Sequence, residues 1–189
     1  MRLSPLSKEI LRKLIHLTEL PIIILYSSLA VSVSPKFGLL ALTGLLLILL
    51  EFEYVRIDYK PKITRAFSKI FEKLLLRSHE RNNVTGAINF VMATIICFSV
   101  FDYAIGLLAL SMTVFGDMVS AIIGIRFGKI KLFRKKSVAG SLAGLVANCF
   151  TGFFILPEFA IVFLPMAITA SIVETVTQKL DDNLTVPLF

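Results

Sequence analysis

The sequence predicts an all-α fold, a polytopic membrane bundle of about six transmembrane helices with one further amphipathic helix in the interface. Three observations predict it. The chain of 189 residues is 56% hydrophobic, with a mean hydropathy of +0.83, too apolar for a soluble domain of this length. Six apolar stretches can be read, near residues 14–33, 37–55, 84–101, 103–125, 138–156 and 158–177. A helix needs about 20 such residues to cross the hydrocarbon core. Basic residues then alternate with these stretches. Arg2, Lys8, Arg12 and Lys13 precede or open the first stretch. Arg56, Lys60, Lys62, Arg65, Lys69, Lys73, Arg77 and Arg81 lie between the second and third, and Arg126, Lys129, Lys131, Arg134, Lys135 and Lys136 between the fourth and fifth. Lys179 follows the sixth, and only Lys36 falls on the other side. The positive-inside rule places both termini and the two long loops in the cytoplasm.

Six spans use most of the chain, so residues 1–189 read as a single integral-membrane domain. The short alternating segments of a membrane β-barrel are absent. The formal charge of +7 is then a cytoplasmic-face charge, suited to anionic lipid heads and phosphorylated small molecules, and no nucleic-acid partner is expected.

The first stretch opens with a basic start and runs to Ala30-Val31-Ser32, a loose imitation of a signal peptide. His16, Glu19 and Pro21 interrupt the apolar run, and the charge alternation requires the helix, so it is read as a span. Arg12, His16 and Glu19 share one face, with His16 a candidate general base or phosphate donor. Between the second and third stretches, Ile63, Phe67, Ile70, Phe71, Leu74 and Leu75 recur at helical spacing among Lys62, Arg65, Lys69, Lys73 and Arg77. That pattern predicts a helix lying in the cytoplasmic interface, as an anchoring elbow or as the wall of a lipid entrance. The third stretch brings Asn82, Asn83, Thr85, Gly86 and Asn89. Thr85 and Asn89 face the same way, to bind a base or ribose or to bond another helix.

The fourth stretch holds Asp117. A charged side chain at bilayer depth costs roughly 2.5–3.5 kcal/mol, so it is expected to face the bundle and to have a function. Thr113, Gly116, Ser120 and Gly124 form a small, polar stripe on its face that admits a close neighbouring backbone. Before the fifth stretch, Lys135-Lys136-Ser137 precede Gly140 and Ser141, and Ser137 is a plausible N-cap. A helix N-terminus flanked by lysines, with a glycine in its first turn, is a candidate phosphate cradle. Gly140, Gly144, Asn148 and Gly152 recur every four residues as a second close-packing face, suited to helix pairing within the chain or to a homodimer. Gly124-Ile125-Arg126-Phe127-Gly128-Lys129 is one residue short of a Walker A loop and ends in Ile130, which excludes that motif.

In the sixth stretch Glu174, Gln178 and Asp181 are predicted on one face, with Asp182 and Asn183 at the membrane surface. These carboxylates and Asp117 make a candidate site for one or two Mg²⁺ ions, which favour oxygen ligands shared with substrate phosphates. Cys97 and Cys149 lie in apolar stretches without metal-ligand spacing and read as packing residues. Two sequons, at Asn83 and Asn183, fall on the predicted cytoplasmic side and carry no glycosylation reading.

Arg12-Lys13-x-x-His16, Gly116-Asp117 with Gly124, Gly128 and Lys129, Lys136-Ser137-x-x-Gly140-Ser141, and Glu174 followed by Asp181-Asp182-Asn183-Leu184-Thr185-Val186-Pro187 occur in that order. Together they resemble the CTP-dependent lipid kinases, the family of dolichol kinase, phytol kinase and CTP-dependent diacylglycerol kinase. The resemblance spans nearly the whole chain. Ser120 stands where the family usually has Ala, and Ala139 where many members have Glu.

The resemblance implies transfer of the γ-phosphate of CTP to the hydroxyl of a membrane lipid alcohol: a dolichol or polyprenol, phytol or geranylgeraniol, or a diacylglycerol-like lipid. Phosphoryl transfer asks chiefly for positioning and charge neutralisation, and the residues suit that demand. Lys135, Lys136, Ser137, Gly140 and Ser141 would hold the triphosphate, Arg12 and Lys13 would clamp it from the other side, and Asn89 would meet the nucleoside. Asp117, Glu174, Asp181 and Asp182 would hold Mg²⁺, and Asp117 or His16 would accept the hydroxyl proton. The protein is then expected in a prokaryotic plasma membrane or an ER-type membrane, with its active site on the cytoplasmic face. The alternatives are a CDP-lipid synthase, whose Lys-Arg…Lys-Asp signature is missing, and a non-enzymatic transporter or scaffold, for which broken midplane helices and repeats are not evident.

Overall fold

The computed structural model describes residues 10–11, 13, 16–55, 85–133, 136–177 and 181–189. Helical backbone at Lys13 and His16 leads into α1 (Glu19–Ser32), followed by α2 (Pro35–Tyr54), α3 (Gly86–Val100), α4 (Tyr103–Phe127), α5 (Val138–Ile155) and α6 (Ala160–Val176). Each apolar stretch of the sequence yields one of these six. Among the described residues α2, α4 and α5 are long and apolar enough to cross a membrane, while α1, α3 and α6 are shorter apolar helices. The interfacial helix expected over 63–75 lies outside the described residues.

Local chemistry sets the boundaries. Ser34 caps α2, its Oγ accepting the Phe37 N–H at 3.2 Å, and Pro35 follows at the first helical position, where a missing N–H costs nothing. Ser137 caps α5 in the same way, its Oγ accepting the Gly140 N–H at 3.2 Å.

Three features depart from the expected pattern. The basic connection before α5 contains an antiparallel hairpin of β1 (Lys131–Phe133) and β2 (Lys136–Ser137), so the fold is helical with one small sheet. Helix α6 stops at Val176, and Thr177 is extended, so the proposed common face of Glu174, Gln178 and Asp181 does not form on one helix. Gln178 lies outside the described residues. Asp181 instead caps a separate short helix, α7 (Asp182–Thr185), by accepting the Asn183 N–H at 2.9 Å, and a 3₁₀ turn (Val186–Leu188) follows.

That terminal segment does not stay at the bundle's end. The Cys97 thiol donates to the Pro187 carbonyl at 3.3 Å, and Val186 and Pro187 are buried. Cys97 lies roughly 16 Å along α3 from Gly86, at 1.5 Å rise per residue. Non-helical backbone is tolerated at such depth only when protein surrounds it. Burial between α3, α4 and α6 meets that condition.

Helix α4 is the central element. Its Leu110 and Val114 pack with Ile23, Tyr26, Leu42, Phe90, Cys97 and Phe98 in one core cluster, and its Leu108 and Met112 with Phe163 and Ala167 in another. Successive helices run antiparallel: Tyr26 meets Gly38, Phe98 meets Gly106, Ser120 meets Gly140 and Gly144, and Phe163 meets Gly152. Lys13, Glu53, Thr85, Lys136 and Glu174 are thereby gathered toward one end. Lys36 lies at the other, where the rings of Tyr26, Phe98 and Tyr103 stack and the Tyr103 hydroxyl donates to Ser27 Oγ at 2.8 Å. The outward faces of α2, α5 and α6 carry exposed Leu40, Leu47, Ile48, Phe150, Phe154 and Ile161, as lipid-facing surfaces do.

Candidate functional site

Small residues make the site possible by bringing α4 and α5 together. A Cβ at Gly140 would come within 2.7 Å of the Ser120 carbonyl oxygen, and one at Gly144 within 3.0 Å of Ser120 Cβ. The backbones therefore touch, and the polar groups on their shared edge face a common space. Asp117 lies on that edge, 7% exposed. The preceding helical segment brings in Lys13, which is 1% exposed, and its ammonium donates to Asp117 Oδ2.

The second pair comes from the other side. Lys136, on β2 immediately before α5, donates to Glu174 Oε1 in the last turn of α6 at 2.5 Å. Ser120 of α4 donates to the same oxygen at 2.5 Å, so Glu174 is held by two elements besides its own. Burial alone would lower the Lys136 pKa, but the Glu174 and Asp117 carboxylates outweigh it and raise it above the ordinary lysine value. Lys136 is therefore charged throughout the physiological range. The two pairs form one electrostatic cluster, since Asp117 also feels Lys136 and Glu174 feels Asp117.

His16 stands beside this cluster, its Nδ1 on Glu19 Oε1 at 2.9 Å. Ser137 closes the opposite edge. Its Oγ, besides capping α5, sits against Gly124 and Gly128, where a Cβ at Gly124 would meet it at 3.2 Å. Ser141 is one turn further on and pairs with Thr175 at 3.0 Å. Asp182 is half-buried and close enough to add to the field on Lys136, and Asp181 serves α7 as its cap. Asn89 is half-buried on α3 and belongs to neither ion pair. Arg12 and Lys135 lie outside the described residues.

The structure thus brings together Lys13, His16, Asp117, Lys136, Ser137, Gly140 and Glu174. Among the described residues no three His, Cys, Asp or Glu side chains stand close enough to share one ion, so the four carboxylates singled out for metal binding are not gathered as a set. Asp117 and Glu174 are. One or two carboxylates are what Mg²⁺ commonly takes from a protein, and these two, each paired here with a lysine ammonium, have the chemistry of such ligands.

Three contributors escaped the sequence reading of the site. Ser120 belongs to the close-packing stripe of α4 and also grips Glu174. Asn148, 1% exposed, donates from Nδ2 to Ser171 Oγ at 3.1 Å and presses its amide on Gly116, fixing α5 between α4 and α6 just below Asp117. Its four-residue spacing from Gly144 carried the only sequence signal. Glu53, buried at the end of α2, accepts the Thr85 N–H at 2.9 Å and ties α2 to the start of α3. An acid in the last turn of an apolar helix was the signal there.

Comparison with known proteins adds one finding. The chain is 33% identical over 122 residues to a protein described as "Probable phytol kinase, chloroplastic" from Triticum aestivum, a match taking in 54% of this chain and 41% of that protein. The chain thus spans less than half the length of that relative. No family model matches the sequence, and no solved structure matches it.

Proposed function

We propose that this chain is a membrane lipid kinase that transfers the γ-phosphate of CTP to the hydroxyl of a lipid alcohol. The observation that carries the reading is the pair of lysine–carboxylate contacts, Lys13–Asp117 and Lys136–Glu174, converging on the Ser137-capped start of α5. Isolated buried ion pairs are a poor way to stabilise a bundle, because desolvation cancels much of the attraction. Two adjacent pairs beside a helix N-terminus serve better as a place where a polyanion and a cation exchange partners. Similarity to a phytol kinase supports the lipid acceptor.

In this reading Lys136, with Lys135, and the N-terminal end of α5 bind the triphosphate, with Gly140 holding that end against α4. Lys13, with Arg12, neutralises it from the α1 side. Asp117 and Glu174 would hold Mg²⁺, which supplies charge neutralisation on the phosphates. Release of Lys13 and Lys136 from the carboxylates toward the phosphates keeps every charge compensated. The acceptor is an isoprenoid or diacylglycerol-like alcohol entering from the bilayer, with its hydroxyl at the basic end of the bundle, and that end faces the cytoplasm by the positive-inside rule.

The test is a transfer assay on purified protein in detergent with a panel of phytol, geranylgeraniol, dolichol and diacylglycerol. Label should move to the lipid from γ-labelled CTP and not from α-labelled CTP. Movement of the α-label with release of pyrophosphate would identify a CDP-lipid synthase instead. No transfer from any nucleotide to any lipid would overturn both readings.

A further inference from the structure

Glu19 is a buried acid that the roles above leave unused. It is 4% exposed at the start of α1. Its Oε1 bonds His16 Nδ1, while Oε2 is buried with no hydrogen-bond partner among the described residues. A bare carboxylate oxygen away from water is expensive, and native structures rarely tolerate one without a use.

The position of the pair supplies the use. His16 follows Lys13 by one helical turn, and Lys13 sits on Asp117. Among the described residues, the charged groups facing the His16 ring are Glu19, Lys13 and Asp117. The ring keeps 18% of its side chain exposed, whereas Glu19 keeps 5%, so the imidazole is the accessible member and the carboxylate the enclosed one. With Nδ1 committed to Glu19, Nε2 is the nitrogen left for a substrate. Asp117 is the poorer proton acceptor, because its carboxylate is taken by the Lys13 ammonium here and would be committed to Mg²⁺ in the loaded site.

We propose that Glu19 is a positioning residue for the phosphoryl transfer, holding His16 by Nδ1 so that Nε2 takes the proton of the lipid hydroxyl. This rests on the kinase reading. The lipid O–H proton passes to Nε2 as the hydroxyl oxygen bonds to the γ-phosphorus. The bond from that phosphorus to the β,γ-bridging oxygen breaks, the nucleoside diphosphate leaves with the electron pair, and the imidazolium later returns its proton to water. Glu19 faces a neutral ring before the step and a cationic one during it. Its charge is thus compensated most fully when the proton arrives, which is the differential stabilisation that accelerates a reaction.

The experiment uses the transfer assay on the full chain, with wild type, His16→Ala, Glu19→Gln and the double variant, each shown to be folded by its elution profile and melting curve. His16→Ala should lower kcat by about 10²–10⁴-fold with the nucleotide KM unchanged, and added imidazole should restore part of the rate. Glu19→Gln should lower kcat by at least about tenfold, again without changing KM, and should cost nothing further in the His16→Ala background. Equal losses from Glu19→Gln in both backgrounds, or a change in KM alone, would overturn the proposal. If Glu19→Gln does not fold, Glu19→Asp gives the same comparison. Wild type that transfers no label would instead overturn the kinase reading itself.

Discussion

Lys136 Nζ and Glu174 Oε1 lie 2.5 Å apart and tie the start of α5 to the last turn of α6. The lysine is a third exposed and the glutamate nearly enclosed, so the two do not respond alike to loss of the partner.

Replacing Lys136 by Met leaves Glu174 buried without its countercharge. Stability in detergent should fall by about 1–2 kcal/mol, less than for a fully buried pair because water reaches the lysine. Combining Lys136→Met with Glu174→Met should recover most of that loss. The nucleotide KM should rise in both variants. Thermal melting and initial-rate kinetics separate the two effects, and an unchanged KM for Lys136→Met would remove Lys136 from the nucleotide site.

The same contact has a defined pH signature. A lysine whose pKa is raised on folding contributes stability that is complete below the unfolded pKa and disappears as pH climbs through the folded one. The difference in melting temperature between wild type and Lys136→Met should therefore be flat through neutral pH and shrink only above about pH 10.4. A difference that already shrinks near neutrality would contradict the shift.

Asp117→Asn should abolish transfer. It should also strand the Lys13 ammonium inside the bundle, at a cost of about 3–5 kcal/mol. Lys13→Met in the same chain should restore the melting temperature without restoring turnover. Activity near that of wild type in Asp117→Asn would end the role assigned to this carboxylate.

Glycines should sort by what surrounds them. Gly44 faces open space on α2, so Gly44→Ala should stabilise by about 0.5–1 kcal/mol through helix propensity alone. Gly140→Ala would push a methyl into the Ser120 carbonyl, and Gly116→Ala one into the Asn148 amide, each costing about 1–3 kcal/mol. Melting curves of the three variants test the ranking, and a neutral Gly140→Ala would show that α4 and α5 can part freely.

Much of this architecture was legible in the residues. Apolar runs of helix length, with basic segments at alternate gaps, mark all six main helices, because the need to satisfy backbone groups in lipid leaves little alternative. Ser137 as the cap of α5 was readable from the lysines before it and the glycine after it. The Glu174–Gln178–Asp181 face was misjudged since helical spacing says nothing of where a helix stops, and Thr177 leaves helical backbone before the second residue is reached. The hairpin before α5 was hidden by its lysines, which read as a solvated loop. The Ser120–Glu174 and Asn148–Gly116 contacts join residues of different helices, and only the packing of α4 between its neighbours determines which of their faces meet.

The Cys97–Pro187 contact joins residues 90 positions apart. Helix α3 can enter the bilayer early and pack on α1, α2 and α4, yet the edge that carries Cys97 stays uncovered until residue 187 has been made. Assembly of the bundle is therefore completed from the late part of the chain inward. Nascent protein stalled short of that point would present an open cleft beside α3 to lipids and to membrane chaperones.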